Sequence, residues 1–191
     1  MKNIQENYLA SAKKQFAYYQ MLGDRTFAQL SEEELFWRLN AESNNIGVIV
    51  NHLHGNMLSR WTDFLTSDGE KTWRNRDSEF EEMIKTKAQL LQKWKKGWDC
   101  LFAALDTLHK DNMDTEIYIR NQGHSIVEAV NRQMSHYAYH VGQIVFIGRM
   151  IKGSEWQSLS IPKGASKAYN AAKFAQEKHQ AHFTDEYLDK K

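Results

Sequence analysis

The sequence predicts an all-α fold, a four-helix bundle, on three observations. A single proline, Pro162, occurs in 191 residues, and nothing before it is forced to break a helix. Four long stretches carry apolar residues at roughly 3.6-residue spacing. Each such helix has one apolar stripe to bury, and four of them bury their stripes against one another.

The first helix is expected from about Ile4 to Leu30, with Ile4, Tyr8, Leu9, Ala12, Phe16, Tyr19 and Phe27 on its stripe. Ser31 and Glu34 then form an S-x-x-E capping box that opens a short helix through Leu39. The second long helix runs from about Asn44 to Leu65, with Val50, Met57, Trp61 and Leu65 along one side, and Ser67-Asp68-Gly69 stops it. A polar loop follows, from Glu70 to Asp77. Ser78 and Glu81 repeat the capping pattern and open a third helix that continues to about His109. Its buried face is Met83, Leu90, Leu91, Trp94, Trp98, Leu101 and Leu105.

Ile117 to Arg120 form a short extended run ending at Asn121-Gln122-Gly123, a turn or small hairpin before the last core helix. Ser125 and Glu128 make one more capping box, and the fourth helix ends near Lys152 with Gly153 as its C-cap glycine. The bundle domain is thus residues 1–152. Residues 153–191 form a polar, alanine-rich C-terminal extension with one short helix near Ser166 to Lys178.

Composition narrows the function classes. Lysine and arginine total 25 against 24 acidic residues, so charge gives no reason to expect nucleic acid or an anionic membrane as partner. No apolar run approaches the roughly 20 residues of a membrane span, and the N-terminus lacks the apolar core of a secretory signal. Cys100 is the lone cysteine, which fits a reducing, cytoplasmic setting. It sits among Trp98, Leu101 and Phe102 and reads as a packed small hydrophobe.

The eight histidines carry the functional signal. His136 and His140 are four apart on the fourth helix, so their Cβ atoms stand about 5–6 Å apart on one face. Gln133, His136, His140 and Gln143 make a polar row beside the apolar stripe of Val130, Met134, Tyr137, Val141 and Val145. Such a row is costly next to a core unless its groups are satisfied, and a metal ion would satisfy them. A third ligand from the second helix is either His52 or His54. Helical phase leaves the choice open, because His54 shares a face with Val50, Met57 and Trp61, and His52 with Ile49, Asn56 and Ser59. Gly55, Gly142 and Gly148 would allow backbones to approach closely near such a site. His109, His124, His179 and His182 fall at helix ends or in the tail and are expected to be solvated. Trp73, Arg74 and Arg76 suit an anionic substrate group, although a solvated or intersubunit loop is the simpler reading.

The segment from His52 to Trp61, then Asp68-Gly69-Glu70-Lys71, then His136-Tyr-Ala-Tyr-His140-Val-Gly-Gln143-Ile resembles the DinB/YfiT-like superfamily of metal-dependent enzymes. The similarity covers roughly residues 1–152, and is strongest to a bacilli-type branch related to the bacillithiol S-transferases. The resemblance implies a four-helix bundle, commonly a homodimer, with one divalent metal held by His52, His136 and His140.

Three histidines with an open coordination position suit Zn²⁺ or Ni²⁺, and also Fe²⁺. The pair departs from H-E-x-x-H, because Tyr137 stands where a zinc protease keeps its base. A metal-bound thiol needs no such base. The resemblance implies transfer of a low-molecular-weight thiol, such as bacillithiol, to an electrophilic small molecule. Gln133 and Gln143, near the histidine pair, are candidates to orient the bound species by hydrogen bonding. A hydrolase using Glu128 or His54 as base, and a metal-binding stress or interaction protein without turnover, are the alternative expectations.

Overall fold

A computed structural model describes residues 3–188. Four long helices form the bundle: α1 (Ile4–Gln29), α3 (Ile46–Trp61), α4 (Lys87–Asp106) and α5 (Ile126–Lys152). The short α2 (Glu32–Leu35) turns the chain between α1 and α3, and the hairpin β1 (Glu116–Ile119) and β2 (Gln122–Ser125) leads from α4 into α5. Beyond the bundle lie α6 (Ser166–Phe174) and α7 (Asp185–Leu188). No described helix is long and apolar enough to cross a membrane.

The packing order is not the sequence order. Helix α1 packs chiefly against α5 and also α4, while α3 packs chiefly against α4 and also α5. The first two bundle helices therefore lie diagonally, and the α2 segment crosses the bundle end to join them. Phe16, Trp98 and Tyr137 meet at the centre from α1, α4 and α5, with ring centroids 5.9–6.4 Å apart. Trp61 Nε1 donates to the Tyr137 hydroxyl at 3.0 Å, and that hydroxyl donates to Asn56 Oδ1 at 3.0 Å. This relay ties α5 to α3 and fixes the rotation of α5 about its axis. Successive helical residues turn by about 100°, so anchoring Tyr137 inward places His136 and His140 together on its flank.

The capping boxes at Ser31–Glu34 and Ser125–Glu128 form as expected, and Gly153 ends α5 with a positive φ of 52°. The box expected at Ser78–Glu81 does not open a helix. Ser78 instead hydrogen-bonds back to Asn75 within a 3-10 turn, Asp77–Phe80, because Glu79 is drawn into the interior. Helix α4 starts at Lys87, capped by Thr86, whose side chain accepts from the Gln89 amide. Met83 therefore precedes the helix and is 57% exposed, and Leu91 lies on its outer face. Ile4, expected on the buried stripe of α1, is likewise exposed.

The hairpin turns at Arg120-Asn121, with φ of 56° and 58°, rather than at Asn121–Gly123. Both amides of this left-handed pair donate to the Asp68 carboxylate at 2.8 Å, which holds the turn against the loop that follows α3. The short helix after Ser31 stops at Leu35, α3 is trimmed at both ends, and α6 ends at Phe174. The tail returns to α1 through α7: Lys14 pairs with Asp185 at 2.6 Å, and His182 Nε2 meets Ser11 Oγ at 3.0 Å. His182 is therefore half-buried rather than solvated.

Candidate metal centre

His136 and His140 project from α5 toward His52 on α3. The Nε2 atoms of His52 and His136 lie 3.2 Å apart, those of His140 and His136 3.1 Å apart, and one ligand atom from each of the three falls within 4.8 Å of the others. Ligand atoms around a tetrahedral ion with metal–nitrogen bonds of about 2.0–2.1 Å stand about 3.3 Å from one another, so the spacing fits a single ion. His54 points elsewhere. It packs toward Lys93 on α4, and its buried Nδ1 has no partner among the described residues.

The outer nitrogens decide what the inner ones offer. His52 Nδ1 lies 2.9 Å from Glu79 Oε2, and an ionised carboxylate only accepts, so the His52 proton sits on Nδ1 and Nε2 presents a lone pair. His140 Nδ1 donates in the same way to Gln143 Oε1 at 2.8 Å. Two lone pairs therefore converge on His136 Nε2, which can give a proton to only one of them. A cation satisfies all three nitrogens at once. The electrostatics agree: burial, then the charges of His140, His52, Arg60 and Arg74, pull the His136 imidazole down to about 3, and burial also lowers His140. Both rings stay neutral near pH 7, as metal ligands must.

Glu79 is the principal residue that sequence reasoning missed. Both its oxygens are taken: Arg74 Nε and Nη2 grip Oε1 and Oε2 at 2.7 and 2.9 Å, and His52 shares Oε2. Burial alone would raise its pKa, but the His52 and Arg74 hydrogen bonds outweigh it and hold the carboxyl below the usual range. Asn51 Nδ2 donates to the Glu79 carbonyl at 3.0 Å and seats the turn on α3. Gly55, one turn along α3 from His52, leaves the space: a Cβ there would stand 2.7 Å from Glu79 Cδ. The glycine thus admits a side chain rather than a neighbouring backbone. Gly142 faces open space, and Gly148 packs against Thr26 of α1, so neither shapes the site.

The loop expected to be solvated contributes directly. Arg74 is buried, with 2% of its side chain exposed, although Trp73 next to it is open to solvent. Phe80 stacks on the His52 ring at 4.8 Å. A cavity of about 320 Å³ opens in front of the histidines.

The residues named as possible bases or orienting groups separate clearly. Glu128 is occupied as the cap of α5, accepting from the Ser125 amide at 2.8 Å. Gln143 holds His140. Gln133 is buried one turn before His136, and its Oε1 has no partner among the described residues. Cys100 is half-buried against Thr62, and burial pushes its thiol up.

A family model described as "Protein of unknown function (DUF1572)" matches residues 3–165. The chain belongs to the DUF1572 family. This is a DinB/YfiT-like family, and the match runs past Lys152 into the start of the C-terminal extension. No curated protein and no solved structure matches the chain. Within DUF1572, then, this member offers three convergent histidines from two helices as a site that can hold a metal ion.

Proposed function

We propose that the chain is a metal-dependent S-transferase that conjugates a low-molecular-weight thiol, bacillithiol-like in size, to an electrophilic small molecule. In such a reaction the thiol gives up its proton to solvent, a carbon–sulfur bond forms at the electrophilic carbon, and the leaving group departs from that carbon with its electron pair. A divalent ion, Zn²⁺ or Ni²⁺ foremost, supplies the Lewis acidity that keeps a thiol ionised near neutral pH.

One observation carries this reading: among the described residues, the cavity holds histidine ligands but no carboxylate free to act as a base. Glu79 is locked between His52 and Arg74, and Glu128 is locked in its cap. Hydrolysis with a protein base therefore has little support, whereas a sulfur nucleophile does not require one. Glu79 and Gln143 act as positioning residues for His52 and His140. Gln133 is buried and is not among the residues that line the cavity, so it is not placed to touch a bound reactant.

The test is thiol-dependent loss of an electrophile by the zinc- or nickel-loaded protein. Activity is expected to vanish on chelation, to return with metal, and to survive Cys100→Ser because the reacting sulfur belongs to the co-substrate. Turnover that ignores the metal, or that needs no thiol, contradicts the proposal. The same reading includes a homodimer, supported by the exposed Tyr139, Phe146 and Met150 on α5. Light scattering giving a single 22.4 kDa chain at micromolar concentration would reject the dimer.

A further inference from the structure

The histidine cavity carries a charge that the metal reading leaves unexplained. Arg60, Arg74, Arg76, Arg120 and Arg132 all line it. Two carboxylates answer them. Glu70 Oε2 takes Arg60 at 3.1 Å, Arg74 at 3.3 Å and Arg120 at 3.1 Å, while Glu79 takes the fork of Arg74. Five guanidiniums stand against Glu70 and Glu79, with the Asp68 carboxylate beside Arg60 and the Arg120 amide, so positive charge remains in excess in a chain whose net charge is only +1. A metal ion would add to the excess.

The arrangement is built rather than incidental. Arg60 and Arg74 keep 7% and 2% of their side chains exposed, and the buried Arg60 Nε has no partner among the described residues. Arg76 lies over the Phe80 ring at 5.2 Å, which in turn covers His52. Arg132, one turn before His136 on α5, is steadied by His124 Nε2 at 3.0 Å. Among the described residues these last two guanidiniums have no carboxylate within bonding distance, so they remain available to an incoming anion. Guanidinium groups pair with carboxylate and phosphate oxygens through parallel N–H bonds. A cavity of about 320 Å³ is the size for a small metabolite rather than a polymer.

We infer that one reactant of this site is a small anionic molecule, a carboxylate or phosphate ester, held by Arg76 and Arg132 at the rim with its other end at the three histidines. The inference rests on the histidines being the reacting end of the cavity, but not on the chemistry being thiol transfer.

The test is calorimetric titration of the zinc-loaded protein with succinate, inorganic phosphate and neutral succinamide at fixed ionic strength. At least one anion is expected to bind and succinamide is not; the tighter of the two anions tells carboxylate from phosphate. Arg76→Gln and Arg132→Gln are each expected to weaken binding by about tenfold or more, the effect of losing a charged hydrogen bond. Both positions are exposed, and unchanged zinc content and melting temperature show that the variants are folded. Binding equal to wild type in the double variant would assign the anion to zinc alone and overturn the inference, as would no anion binding. The titration is repeated on His136→Ala. Arginine-dependent binding that persists without metal upholds the anion site even if the metal-dependent activity fails.

Discussion

On one side of the histidine cavity, α5 presents His136 and His140 from a regular helix; on the other, the loop between α3 and α4 delivers Arg74, Glu79 and Phe80 from irregular chain. The helical wall is placed by apolar packing. Tyr137 is fully buried and tied to Trp61 and Asn56, and the histidines follow from the helical turn. The loop wall is placed by charge, through the Arg74–Glu79 fork and the Asn51 bond to its backbone. Each wall then fixes one ligand's tautomer, a carboxylate for His52 and a neutral amide for His140. The difference teaches that the same task is done with unequal strength, since hydrogen bonds to charged groups contribute about 1.5–3 kcal/mol against about 0.5–1.5 for neutral ones.

The largest effect is therefore expected on the loop wall. Glu79→Gln keeps the shape and removes the charge, and metal affinity, measured by competition with a chelator, is expected to fall by about 10- to 100-fold. Equal affinity would mean that the carboxylate only seats the loop. Gly55→Ala pushes on the same carboxylate and is expected to weaken the metal in the same assay, because Glu79 is pinned and has nowhere to move.

The two walls were also unequally legible in the sequence. The His136–His140 pair, the Ser125–Glu128 cap and the core tryptophans follow from helical periodicity, which is local. His52 could not be told from His54 by phase because both faces of α3 are buried, one against α4 and the other against α5 and the Asp77–Phe80 turn. Arg74 and Glu79 carry no period at all, and their ionic fork depends on tertiary position. Ser78–Glu81 misled because a capping pattern says nothing about whether its middle residue is claimed by the core. Two signals did exist. Thr86 and Gln89 repeat the capping spacing just before the true helix, and Gly55 in mid-helix beside His52 marks the place where another group comes close.

On the helical wall, Gln143→Ala removes a neutral acceptor from His140 and is expected to cost less than tenfold in metal affinity, clearly below Glu79→Gln. The reverse order in the chelator assay would overturn the comparison between walls.

The smallest effect belongs to the histidine left out. Burial, then the charge of Lys93, lowers His54 from 6.5 to about 4. Below 6.5 the unfolded chain takes up a proton that the folded chain refuses, so the metal-free protein loses stability as pH falls toward 4. Replacing His54 with Gln is expected to flatten part of that loss, measured as the urea midpoint from pH 7 to pH 4. An unchanged pH slope would show that His54 protonates freely in the fold.

The most direct test of the central claim is metal content per chain, by elemental analysis after loading with zinc and desalting, in wild type and in His52→Ala, His54→Ala, His136→Ala and His140→Ala. One equivalent is expected in wild type and in His54→Ala, with little or none in the other three. Full occupancy in any of those three, or loss in His54→Ala with retention in His52→Ala, would contradict a centre built on His52, His136 and His140.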